Sequence, residues 1–226
     1  MMRSTSFHQL LMCVLAFVAN QATAAVPPAP KLPADAYFLM DATTGQILVD
    51  HNGDLSLPPA SLTKIMTSYV LAEEVDAGRA SLDDMIKVSR NAWSQNPTFK
   101  GSSLMWIEPG KPVSLADLER GVVISSGNDA SVAVAEHLAG TESSFVDVMN
   151  QLAAELGLDN TVYRNPHGLP HPEHRTTARD LATLSVALIN GHPEHYKIYK
   201  EQSFTYNGIK QYNRNSLLRS DATVDG

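Results

Sequence analysis

Pro58-Pro59-Ala60-Ser61-Leu62-Thr63-Lys64-Ile65-Met66-Thr67 sets a proline pair directly against a helical apolar pattern. The prolines stop any element arriving from the N-terminal side. Apolar residues at 62, 65, 66, 69 and 70 then predict a helix with one face in a core. Ser61 and Lys64 stand one turn apart, about 60° around the axis, away from most of that stripe. A hydroxyl beside an amine makes a nucleophile pair, provided the amine can lose its proton. Spacing alone does not establish this. Ser is a favoured N-cap, a solvated Lys can follow it, and about one Ser-x-x-Lys is expected by chance in a chain of this length. Of the eight lysines, only Lys64 has a Ser three residues before it.

The 226 residues suit one domain or slightly more, and an apolar content of 43% supplies a sizeable core. Residues 1–24 read as a secretory signal peptide: Arg3, an apolar run from Leu10 to Ala19, and then Ala22-Thr23-Ala24 with small residues where a signal peptidase inspects them. That run falls well short of the ~20 residues of a membrane span. Met12 before Cys13 argues against a lipoprotein signal. Cleavage removes Cys13, so the mature chain is expected to hold no disulfide. It also removes Arg3, which leaves the mature chain more acidic than the −7 of the whole sequence. Such a balance argues against a nucleic-acid partner. No basic amphipathic helix offers a membrane anchor.

Residues 25–35, rich in Pro and Ala, read as a tether before a domain at 36–226. Tyr37–Met40 and 46–49 flank a turn with Gly45 and predict a β-hairpin, whose apolar first strand should be covered on both faces. The Ser61 helix should stop at Gly78. Residues 79–113 read as irregular chain packed by Trp93, Phe99, Met105 and Trp106, core or satellite packing being expected of each. Ser114 caps a helix whose pattern breaks at Ser125-Ser126-Gly127-Asn128-Asp129 and then resumes, so Ser126-Gly127-Asn128 is a turn between two helices. By itself that turn is an ordinary Gly stop followed by an Asn or Asp cap. Thr141 and Thr177 open two more helices, and Asn207-Gly208 marks a second hairpin. His167, His171 and His174 lie in a proline-broken loop with no Cys or carboxylate to complete a tetrahedral set, so no metal site is expected.

A secreted α/β chain with Ser-x-x-Lys at a helix start and Ser-x-Asn between two later helices resembles a penicillin-recognising serine enzyme. Pro59-Ala60-Ser61-Leu62-Thr63-Lys64-Ile65-Met66-Thr67, Ser126-Gly127-Asn128-Asp129-Ala130 and Asn165-x-His167-Gly168-Leu169 are similar to the low-molecular-mass penicillin-binding proteins, and more closely to the serine-type D-alanyl-D-alanine carboxypeptidases. The similarity runs from about Ala36 to Gly226. It implies an α/β (α+β) fold of the penicillin-binding and β-lactamase-like transpeptidase kind, an antiparallel sheet flanked by helices with a helical subdomain. It further implies that Ser61 attacks the penultimate D-Ala carbonyl of a peptidoglycan stem peptide ending in D-Ala-D-Ala. Lys64 would be the general base, Ser126 the proton donor to the leaving amine, and Asn128 the group that holds Lys64 and the substrate backbone. The Ser61 N–H suits one half of an oxyanion hole. β-Lactam antibiotics would acylate the same serine. No cofactor and no metal are implied. The implied compartment is the periplasm, with membrane association only through a region outside this chain.

The family's third motif, Lys-Thr/Ser-Gly, has no counterpart in the sequence, and the pattern would run into it just after Gly226. The chain is therefore expected to be an N-terminal fragment lacking the last part of the sheet, and inactive as such. Lys210 and Arg214 are the candidate replacements for the missing cation. Other readings stay open: a D,D-endopeptidase of the same family, a β-lactamase, or a catalytically dead peptidoglycan-binding protein. The β-lactamase reading lacks Glu-x-x-Leu-Asn, the nearest approach being Glu155-Leu156-Gly157-Leu158-Asp159.

Overall fold

Residues 28–226 are described by a computed structural model. The expected leader at 1–24 lies outside them. Residues 28–33 form no helix or strand and are exposed.

From Ala34 onward the chain is built around one helix, α1 (Thr63–Asp76), entered through a 3-10 turn at Ala60–Leu62. Four helices pack against it: α2 (Leu115–Val123), α3 (Asn128–Ala139), α4 (Glu142–Glu155) and α5 (Ala178–Gly191). A helix enclosed by four neighbours is buried nearly all round, and that corrects the one-sided stripe expected from sequence. Leu62 is exposed and Ile65 half-buried, whereas Thr63, Lys64, Thr67 and Ser68 lie in the interior beside Met66, Val70 and Leu71. The buried hydroxyls are tolerable where they find acceptors. Thr63 Oγ1 donates to the Ala60 carbonyl at 2.7 Å, and Thr67 Oγ1 to the Pro166 carbonyl at 2.6 Å.

The later helices begin where the side chains can cap them. Ser114 Oγ accepts from Asp117 N, Thr141 Oγ1 from Ser144 N and Thr177 Oγ1 from Asp180 N, each cap worth ~1 kcal/mol. Each of these helices then buries an apolar face: Leu115 and Leu118 from α2, Phe145 and Met149 from α4, Leu184 and Leu188 from α5. A short sixth helix, α6 (Pro193–Tyr196), leads into a 3-10 turn at Lys197–Lys200.

The strands pair as three antiparallel ribbons of two among the described residues. β1 (Tyr37–Met40) pairs with β2 (Ile47–His51), with a register irregularity between Leu39 and Met40. β3 (Met85–Ile86) pairs with β4 (Val113–Ser114), so the 79–113 segment is not wholly irregular. β5 (Ser203–Tyr206) and β6 (Ile209–Tyr212) turn at Asn207 and Gly208, both at positive φ as a type I′ turn requires. α5 packs on β1, and Arg179 ties the first ribbon down: it bonds Asp50 and Asp54 and lies over the Phe38 ring at 4.6 Å. The ribbon is not covered on both faces as expected, because a single helix shields one side. Leu39, Ile47 and Leu48 are each about half exposed. No helix among the described residues is long and apolar enough to cross a membrane.

Candidate active site

Lys64 is the electrostatic centre of the site. Only 5% of it is exposed, and it sits one helical turn below Ser61, which lies exposed at the rim. Its Nζ donates to Asn128 Oδ1 at 2.7 Å and to the His167 carbonyl at 2.6 Å. A third, longer contact reaches Ser61 Oγ at 3.5 Å. Burial lowers the Lys64 pKa to about 7, with the buried Asp129 carboxylate opposing and the Arg214 guanidinium assisting.

This arrangement has a simple valence consequence. A neutral amine carries two N–H bonds and one lone pair. The two acceptors, Asn128 Oδ1 and His167 O, can take both N–H bonds, which leaves the lone pair for the hydroxyl of Ser61. At neutral pH a substantial fraction of Lys64 is in that form.

Backbone strain marks both serines. Ala60, which precedes Ser61, has φ 47°, and Ser126 has φ 58°. Non-glycine residues in that region carry strain that the surrounding fold must hold, as at many functional sites. Ser126 lies on the turn between α2 and α3, and the helix begins behind it with Gly127 as N-cap and Asn128 as its first residue. Ser61, Lys64, Ser126, Tyr199 and Arg214 line one cleft of about 630 Å³. Asn128, 4% exposed, meets that cleft through Lys64. The four residues singled out in the sequence thus come together from two separate segments, 61–64 and 126–128.

Two supports stood in the sequence motifs without a role assigned to them. Asp129 is fully buried, and its carboxylate accepts the N–H groups of Met105, Trp106, Ile107 and Ala130. Burial pushes its pKa up, but four donors that cannot accept a proton in return favour the carboxylate, and we take it as ionised. The clamp holds Trp106 at φ 73° with half its surface exposed, contrary to the packed role expected of it. The backbone N–H groups that hold it are satisfied by a carboxylate, which compensates for its strain.

The other support is the loop 165–169, recognised in the sequence without a role. Asn165 Oδ1 accepts from His167 N and Gly168 N, and its Nδ2 donates to the Leu169 carbonyl. Gly168 has φ 88° and lies so near Ala60 that a Cβ there would meet the Ala60 carbonyl oxygen at 1.8 Å. An Asn followed three residues later by a Gly was the one available signal. Of the three loop histidines, His167 and His174 are buried with protein partners. His174 Nδ1 accepts from Arg164 N, and Nε2 bonds Thr63 Oγ1; burial lowers its pKa to about 4. His171 is exposed. Of the two candidate cations, Arg214 reaches the cleft and bonds Ser103 Oγ at 2.7 Å, whereas Lys210 lies over the Tyr212 ring.

Comparison with known proteins places this geometry among relatives. Residues 20–226 match the family model described as D-alanyl-D-alanine carboxypeptidase. The chain is 48% identical over 213 residues to D-alanyl-D-alanine carboxypeptidase DacC of Escherichia coli (strain K12), covering 93% of this chain and 52% of that protein. It thus spans about half the length of that relative. The crystal structure of penicillin binding protein 6B from Escherichia coli is similar at TM-score 0.83 and 47% identity, over 86% of this chain and 62% of that one. Penicillin-Binding Protein D2 from Listeria monocytogenes, in its ampicillin-bound form, is similar at TM-score 0.72 and 29% identity, over 85% of this chain and 77% of that one.

Proposed function

This chain belongs to the D-alanyl-D-alanine carboxypeptidase family, and from that premise we propose that the protein removes the terminal D-Ala from peptidoglycan stem peptides through an acyl-enzyme on Ser61. The observation that carries the reading is the Lys64 amine: buried, depressed to about 7, engaged by two acceptors and facing a serine hydroxyl.

In this reading Lys64 takes the Ser61 proton as Oγ attacks the penultimate D-Ala carbonyl. The Ser61 N–H, at the 3-10 turn that enters α1, suits the oxyanion that develops. Ser126 gives its proton to the departing amine and regains one from the Lys64 ammonium, the C–N bond breaks, and D-Ala leaves with Lys64 again neutral. Water then hydrolyses the ester and restores Ser61. Asn128 keeps Lys64 in place and offers its amide to the substrate backbone. Arg214, at the cleft wall, favours an anionic substrate terminus. A β-lactam would acylate Ser61 in the same way, as the ampicillin-bound relative suggests. Residues 1–24 would direct the chain to the periplasm, and 25–35 would tether the domain.

The test is covalent labelling of the full-length gene product with a fluorescent penicillin, read by mass spectrometry, beside D-Ala release from a stem pentapeptide. Label on Ser61, lost in Ser61→Ala, is expected. Label persisting in that variant, or mapping to Ser126, would overturn the assignment. Release of peptide from a cross-linked dimer faster than D-Ala from the pentapeptide would favour the endopeptidase reading instead.

A further inference from the structure

The acceptor that fixes one Lys64 N–H is a loop carbonyl, and loops do not hold position unaided. The bonds of Asn165 set the shape of the 165–169 loop, yet they are internal to it. What locates the loop must come from outside. Thr67 grips the Pro166 carbonyl at 2.6 Å, and Gly168 packs on Ala60. The third tie acts on His167 itself, the residue whose carbonyl meets Lys64.

The His167 ring is 5% exposed and held on three sides. Its Nδ1 accepts from Leu169 N at 3.1 Å, its edge meets the Phe99 ring at 6.1 Å between centroids, and its Nε2 lies 3.4 Å from Glu142 Oε1. A backbone N–H can only donate, so Nδ1 is unprotonated and the ring proton sits on Nε2, within 3.4 Å of the Glu142 carboxylate. Glu142 belongs to the first turn of α4, a helix fixed in place by the fully buried Phe145 and Met149, and its own side chain is 31% exposed.

We propose that Glu142 is a positioning residue: through the His167 ring it holds the loop carbonyl on the Lys64 amine and so aims the lone pair at Ser61. This rests on the reading of Lys64 as general base. The bland alternative is an acid that merely complements the helix dipole at the start of α4. The two differ in what they do to Lys64. An acceptor at 2.6 Å favours the ammonium over the amine, so withdrawing it lowers the Lys64 pKa further while loosening the aim. The other charges that act on Lys64, Asp129 from α3 and Arg214 from the cleft wall, are untouched by a change at Glu142.

The experiment uses the full-length gene product with 13C at lysine Cε. The Lys64 titration is followed by NMR, assigned with Lys64→Arg, and acylation by a fluorescent penicillin is measured in parallel across pH. In Glu142→Ala the Lys64 midpoint is expected to move to lower pH and acylation to fall about tenfold or more. Glu142→Gln keeps an oxygen for the Nε2 proton and is expected to recover most of the rate and the midpoint. An unchanged midpoint and rate in Glu142→Ala would overturn the proposal. So would equal loss in both variants with a matching drop in Tm, the mark of a helix-start role. If the wild type takes no label at Ser61, the base reading falls, while the Lys64 midpoint still decides whether Glu142 positions the amine.

Discussion

Lys64 on α1 donates to the backbone carbonyl of His167 at 2.6 Å, although the two are separated by 103 residues of chain. That bond joins the central helix to a loop that carries no regular structure. It gives the site its character, because with Asn128 it occupies both protons of a neutral amine. Without it Asn128 alone would hold the amine, and the lone pair would lose its fixed direction.

Lys64 predicts a pH profile. Acylation of Ser61 should rise with pH through about 7, because only the amine can accept the serine proton. Arg214 helps to depress that pKa, so Arg214→Gln should move the rising limb to higher pH. Lys64→Arg should lose at least about two orders of magnitude, since a guanidinium stays protonated. Stopped-flow labelling from pH 5.5 to 9 checks all three. A limb that does not move in Arg214→Gln would remove Arg214 from the electrostatics of the site.

Gly168 predicts a structural failure with a functional signature. Gly168→Ala places a Cβ against the Ala60 carbonyl oxygen, at a φ of 88° that L-residues rarely adopt. Backbone must shift, and the residue it displaces adjoins Ser61. A loss of roughly 2 kcal/mol or more is expected, together with slower labelling at temperatures where the protein is still folded. Tm and labelling rate measured on the same preparation check it. Wild-type values for both would mean that the 165–169 loop and the Ser61 turn are not in contact.

Glu119 and His195 predict pH-dependent stability. His195 on α6 meets Glu119 of α2 at 2.5 Å, both nearly fully buried, and the other Glu119 oxygen has no partner among the described residues. The hydrogen bond to Glu119 raises the His195 pKa, against burial and with help from Asp76 and Glu194. His192 and Glu73 stand beside them. A raised histidine pKa gives stability that is fully present below ~6.5 and lost as pH rises through the folded value. Tm should therefore fall as pH rises from ~6.5 through the raised His195 pKa. Glu119→Gln should lower Tm by an amount equivalent to about 1–3 kcal/mol at pH 6 and flatten the slope above it. Parallel curves for wild type and variant would exclude the pair as the cause.

Much of the local structure was legible because it is decided by short-range chemistry. Ser114, Thr141 and Thr177 capped the helices they were expected to cap. Asn207-Gly208 turned the hairpin that its φ requirements allow. The meeting of Ser61, Lys64 and the Ser126 turn followed from motif order and from the resemblance that the order carries. The burial of α1 was misjudged because a periodic pattern reports one apolar face and says nothing of how many neighbours a helix acquires. The exposure of Trp106 was missed for a related reason: its position is held by the Asp129 carboxylate, more than twenty residues away in the chain.

The sequence by itself determined the helix starts, the hairpin turns and the identity of the reacting groups, since each depends on a residue type and its near neighbours. Tertiary structure alone decided the state of those groups. Whether Lys64 is a solvated cation or a neutral base depends on its burial, on Asp129 and on Arg214, none of which its own helix supplies. Where its lone pair points depends on a carbonyl brought in from residue 167. Both are matters of desolvation and direction in space, and these exist only once distant segments have packed.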